Sequence, residues 1–197
     1  MRPVSIAVVP LVCVALAGCG AGKFNTSSAK PVPGVFRYPI VTSPTSLDPG
    51  VVQDGDTLDA IQQVYEGLVT WNEKSEVVGA LAESWEVEAD DKTYVFHLRK
   101  GVKFHSGREC KAQDVKWSIE RNAVHRIQSQ TVDAYLSDIV GLSEVVERQR
   151  AKRANDPAEL IPIPGITVVD DYTLKIELVR PTPYFLGKLT YLVSAPL

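Results

Sequence analysis

The chain has 197 residues, 45% of them hydrophobic and 23% charged, with 21 Lys and Arg against 24 Asp and Glu for a net charge of −3. These are ordinary values for a folded globular protein, long enough for one domain with a real core. The mild acidity excludes a nucleic-acid partner, whose footprint needs a basic patch or a high isoelectric point.

Arg2 is followed by Val4–Leu16, an apolar run without a charge. A spanning helix needs about 20 apolar residues, so this run is too short to cross a bilayer. A charged start, an apolar middle and a small-residue end make the layout of a secretory leader. The end, Leu16-Ala17-Gly18-Cys19, resembles the bacterial lipobox, in which the cysteine becomes the first mature residue. Its sulfur takes a diacylglycerol and its amine a further acyl chain, and two or more chains anchor stably where one does not. The bland alternative is that Cys19 closes a buried segment. Gly20–Gly34 argues against that, because its Gly, Ser, Ala and Pro content suits a tether spanning on the order of 20 Å. The expected organisation is a lipoprotein signal peptide over 1–18, a tether over 19–34 with Cys19 lipidated, and one domain over 35–197. The chain is then extracytoplasmic and lipid-anchored to the cell membrane. Cys13 leaves with the leader and Cys110 stands alone, so there is no disulfide framework.

Val35–Thr42 alternates loosely and reads as a first strand, with Pro39 favouring an edge or bulge. Ser46-Leu47-Asp48-Pro49-Gly50 is a turn-rich stretch. Over Asp56–Leu68, Leu58, Ile61, Tyr65 and Leu68 share one helical face, with Asp56 as the cap and Gly67 as the stop. Trp85 and Val87, then Tyr94, Phe96 and Leu98, alternate on either side of Ala-Asp-Asp-Lys, a hairpin with one aromatic face. Val102–His105 continues extended to Ser106-Gly107. Asp114–Asn122 reads as a helix with Val115, Ser118, Ile119 and Asn122 in one stripe. Val145–Asn155 is charged and reads as a solvated helix face, with Pro157, Pro162 and Pro164 marking a loop. Val168–Leu178 repeats Val87–Leu98 with one residue fewer before the Asp pair, sharing the form D-D-x-T-x-x-[FI]-x-L after a valine. Good turn chemistry used twice explains this better than a duplicated domain, since nothing around the two hairpins matches.

Several of these pieces, in this order, resemble the extracytoplasmic solute-binding proteins of ABC transporters, family 5, which carry peptides and nickel. They are Ser46–Pro49, Tyr65–Leu68, Ala80–Trp85, Tyr94–His105, Ala112–Val115, Val168–Leu178 and Pro181–Leu186. The resemblance runs from about residue 40 to the end. It implies an α/β fold of the periplasmic-binding-protein type II kind, here incomplete: N-terminal lobe segments with a mixed sheet, hairpins and flanking helices, the second lobe missing. It also implies capture of oligopeptides, dipeptides or a related solute, delivered to ABC permease subunits in the membrane. No catalysis, cofactor or metal is implied. One departure is Lys111, where the family often has a capping Thr; Asp114 or a neighbouring loop must then satisfy the first helical amides.

By the same resemblance, the loop after Leu47-Asp48-Pro49 pairs with the ligand backbone, which puts Gln53, Asp54 and Gly55 at the solute. An extended peptide can add to exposed backbone groups like a strand, and Gly55 allows close approach. The competing reading, equally weighted, is that Asp54-Gly55 is simply the turn before a helix. A groove-lining tyrosine of the family falls near Val132, which lacks the hydroxyl. An enzyme finds no support: His97, His105 and His125 lack metal-protease spacing, and no nucleophile-elbow or P-loop pattern occurs. His97 and His105 fit surface or capping roles better than a metal pair. The serious alternative is a surface-anchored lipoprotein interaction module built on a remnant of the solute-binding fold.

Overall fold

The computed structural model describes residues 33–35 and 39–197, and the account below concerns 39–197. The expected signal peptide, Cys19 and nearly all of the tether lie outside the described residues.

No strand forms at 39–42. Pro39 brings no N–H to a ladder, and Val41 is almost fully exposed. Side-chain bonds hold the segment instead, the Thr42 hydroxyl donating to Asp56 (2.9 Å) and the Thr45 N–H to the Thr57 hydroxyl (3.0 Å). The helix expected over 56–68 is shorter and starts earlier: α1 spans Gly55–Ile61, and its cap is Asp54 rather than Asp56. Past Ile61 the chain turns, because the carbonyls of Gly67 and Leu68 accept tertiary bonds from the Leu81, Ala80 and Ala82 amides. The apolar face survives without the helix. Ile61, with Leu58 and Tyr65 against it, closes a small cluster with Val52, Leu192 and Ala195, while Leu68 joins the main core.

Two short strands, β1 (Val69–Trp71) and β2 (Val77–Gly79), pair antiparallel. The two hairpins read from the sequence follow as β3 (Ala82–Val87) with β4 (Thr93–Leu98), and β5 (Ile166–Asp170) with β6 (Thr173–Glu177). They join through their second strands into one sheet of order β3-β4-β6-β5. Both described sheets are antiparallel throughout rather than mixed: hairpin turns join β1 to β2, β3 to β4 and β5 to β6, and the two larger hairpins meet antiparallel across β4 and β6. Val95 and Lys175, equivalent positions of the repeated pattern, sit opposite each other, so a local two-fold relates the hairpins. Their turns match as well: Asp90 accepts from the Lys92 and Thr93 amides, and Asp170 from the Tyr172 amide.

The inner sheet face carries Tyr94, Phe96, Leu98, Leu174 and Ile176 into the core. Helix α2 (Ala112–Asn122) meets it with Val115 and Ile119, and Ser118 and Asn122 are also buried, the stripe expected from sequence. Its start is solved as Lys111 requires. Asp114 accepts from the Lys111 N–H (2.8 Å), and the Asp171 carbonyl accepts from the Ala112 N–H (2.9 Å). Helices α3 (Thr131–Leu136), α4 (Leu142–Arg150) and α5 (Phe185–Leu189) complete the packing. The charged stretch is the outer face of α4, which buries Leu142, Val145, Val146 and Gln149 and ends at Arg150 rather than Asn155. Among the described residues no helix is long and apolar enough to cross a membrane.

Candidate ligand-binding loop

The loop from Asp48 to Gly55 is held at both ends, and each anchor follows from a residue's chemistry. Pro49-Gly50 makes the turn, closed by the Val51 N–H on the Asp48 carbonyl (3.1 Å). The Asp48 carboxylate accepts from the Gly50 N–H (3.0 Å) and takes a two-pronged bond from the Arg121 guanidinium at 3.1 and 2.5 Å. These bonds stabilise the charged form, so Arg121 first, then the Gly50 amide, draw the Asp48 carboxyl below its ordinary range against the opposing effect of burial. Gly50 packs directly on the Asn122 side chain, where a Cβ would collide with Oδ1. Asn122 in turn donates to the Val193 carbonyl (2.6 Å). The C-terminal end of α2 thus holds one end of the loop.

At the other end Asp54 caps α1, its Oδ1 accepting from the Thr57 N–H (2.8 Å) and its Oδ2 from the Thr45 hydroxyl (3.1 Å). The Thr57 amide is the main reason the Asp54 carboxyl is lowered. Gly55 is the first helical residue, and a Cβ there would meet open space. An open concavity of about 640 Å³ lies beside it, lined by Thr42, Thr45, Asp54, Gly55, Asp56 and Asp59 among others. Between the anchors, the Val52 side chain is buried and its carbonyl accepts from the Tyr191 hydroxyl (2.8 Å). Gln53 is exposed, and among the described residues neither its N–H nor its carbonyl has a partner.

The three residues expected at the solute therefore lie together but in different roles. Asp54 and Gly55 form the helix start, as the turn reading has it, and Gln53 presents free backbone. Val132 is buried in the core on α3. His97 lies 3.7 Å from Glu86 across the hairpin, and His105 sits in a turn. Among the described residues no three His, Cys, Asp or Glu side chains gather as metal ligands. Sequence reasoning missed Arg121, Asn122 and Tyr191 as anchors. The buried stripe on α2 points at Asn122, but no local signal marks the other two.

The Asp48 bonds predict an acid response. A carboxyl lowered in the folded state contributes stability that is complete above its unfolded pKa and is lost as pH falls through the folded one. Asp48→Asn is expected to cost about 1–2 kcal/mol at neutral pH. Its stability should then fall less steeply than the parent's below about pH 4, measured by denaturant titration across pH 2–7. Parallel curves would remove Asp48 as the acid-labile anchor.

Residues 76–197 match the family described as bacterial extracellular solute-binding proteins, family 5 Middle. The oligopeptide-binding protein AmiA of Streptococcus pneumoniae is 30% identical over 193 residues, 96% of this chain and 28% of that protein. A dipeptide-binding protein of Escherichia coli is 33% identical over 160 residues, 75% of this chain and 26% of that one. Among solved structures, Haemophilus influenzae OppA in complex with RPPGFSPFR superposes with a TM-score of 0.67 at 29% identity, covering 78% of this chain and 28% of that one. The chain thus spans 28% of the length of AmiA and 26% of that of the dipeptide-binding protein. The match over 76–197 takes in both hairpins and the helices packed on them, and the chain belongs to the bacterial extracellular solute-binding proteins of family 5.

Proposed function

We propose that the chain serves as an extracytoplasmic substrate-binding component of an ABC transporter, capturing oligopeptides or dipeptides for import through a membrane permease. It is tethered to the membrane by acyl chains on Cys19. The observation that carries the solute reading is the backbone of Gln53, an exposed residue whose N–H and carbonyl have no partner among the described residues, set between two fixed anchors. A strand-like peptide gains affinity from such groups independently of its own side chains. The names of the relatives above support the same class of solute. Energy for transport comes from elsewhere in such a system, so the chain's task is binding alone.

Calorimetric titration with a di- to hexapeptide library tests this. Binding is expected to survive Gln53→Ala within about threefold, because the side chain is not used, and to weaken at least roughly tenfold in Gln53→Pro, which has no N–H to offer. In the same strains Cys19→Ser is expected to move the chain from the membrane to the soluble fraction. If no peptide binds, the reading fails and the interaction-module alternative takes its place.

A further inference from the structure

We infer that Tyr191 is a positioning residue for the ligand-pairing loop, its hydroxyl fixing the Val52–Gln53 peptide unit in the orientation that presents the Gln53 N–H. The inference rests on the peptide-binding reading above and names the residue that makes the binding loop competent.

The argument starts with the planarity of one peptide bond. The Val52 carbonyl and the Gln53 N–H belong to the same rigid plane. No peptide bond among the described residues is cis, so the two groups point in opposite directions across that plane. Whatever grips the carbonyl aims the N–H. The Tyr191 hydroxyl grips it at 2.8 Å from a residue 139 positions away in the chain. A bond to the carbonyl also polarises the unit and makes its N–H a better donor.

The grip is itself held. The Tyr191 ring stacks on that of Tyr135 with centroids 4.1 Å apart and planes 14° from parallel. Tyr135 lies on α3, one turn beyond Val132, whose side chain is locked in the core. The side chain of Val52 sits in the small cluster with Ile61, Leu192 and Ala195, while the next residue, Gln53, is exposed. Tyr191 is close enough to the loop that Asp54, after burial and the Tyr135 phenol, raises the Tyr191 hydroxyl's titration. Packing alone would be met by phenylalanine; what the hydroxyl adds is its hydrogen bond to the Val52 carbonyl.

The test uses the full chain, uniformly ¹⁵N-labelled, as parent, Tyr191→Phe and Tyr135→Leu. Tyr191→Phe keeps the stack and loses the hydroxyl. Affinity for tetraalanine, a peptide with little beyond backbone to recognise, is expected to fall roughly three- to tenfold, and the melting temperature to stay within about 3 °C of the parent's. The order parameter of the Gln53 amide should drop in Tyr191→Phe while those of Thr57 to Ile61 hold, a selective loosening that a merely structural role would not give. Tyr135→Leu should loosen Gln53 in the same direction. An unchanged Gln53 order parameter in Tyr191→Phe overturns the inference whatever the affinity does. If tetraalanine binds none of the three chains, the peptide reading suffers, and the Gln53 amide still decides whether Tyr191 positions it.

Discussion

Phe96→Ala is expected to cost about 3–5 kcal/mol, measured as the shift in urea midpoint at constant slope. Phe96 is completely buried on β4, a central strand, opposite Trp85 on one side and Leu174 on the other. Its ring lies 6.3 Å from that of Tyr94, which in turn meets Phe185 of α5 at 5.2 Å. Truncation removes the transfer free energy of a benzyl group and leaves a cavity walled by a sheet on one side and helices on the other. Neither can collapse without breaking strand register, which places the cost toward the upper part of the range. A domain of this size is stable by about 5–15 kcal/mol, so a large share would go at once. Val95, the next residue, faces the other side of the sheet, and Val95→Ala should cost about 1 kcal/mol or less. Equal costs at the two positions would mean that the inner and outer faces are wrongly assigned.

Lys116→Met carries the second large effect, about 3 kcal/mol. Glu120 is 3% exposed on α2, with Lys116 Nζ 2.6 Å from its Oε1. The same carboxylate accepts from the Ile163 N–H (3.0 Å), and Lys116 donates to the Ile166 carbonyl (2.7 Å). The pair therefore staples α2 to the approach to β5, which seats the helix whose far end holds Asp48 and Gly50. Without the ammonium, a buried carboxylate keeps a single backbone donor, and most of the expected loss is that unpaired charge rather than the worth of the pair. Replacing both residues by Met should cost less than the sum of the single changes, a coupling read from the double-mutant cycle. A loss below about 1 kcal/mol in Lys116→Met would mean that the pair behaves as an exposed one.

The elements legible in the sequence share a physical property: their signal is local. Both hairpins follow from period-two alternation around Asp-Asp-x-Thr, whose side-chain bonds close within three residues. Helix α2 follows from a stripe that needs only one buried side. The helix expected over 56–68 failed at its second half because the same inward residues serve equally well in a turn, and what decided was the pull of residues 80–82 on the carbonyls of Gly67 and Leu68. The strand expected at 35–42 failed over its described part because Pro39 gives no donor and the hydroxyls nearby bond to α1 instead.

By itself, then, the sequence determined the family, the two hairpins, the α2 stripe and the position of the candidate loop, all from patterns a few residues long. Only the tertiary structure decided what makes that loop a presentable surface. Arg121 reaches Asp48 across 73 positions and Tyr191 reaches Val52 across 139. An Arg at the end of a helix or a Tyr near the last turn has no local pattern that names a partner so far along the chain. Those partners are chosen only when the sheet, α2 and the last segment pack together, and that packing leaves the Gln53 N–H and carbonyl without a partner among the described residues.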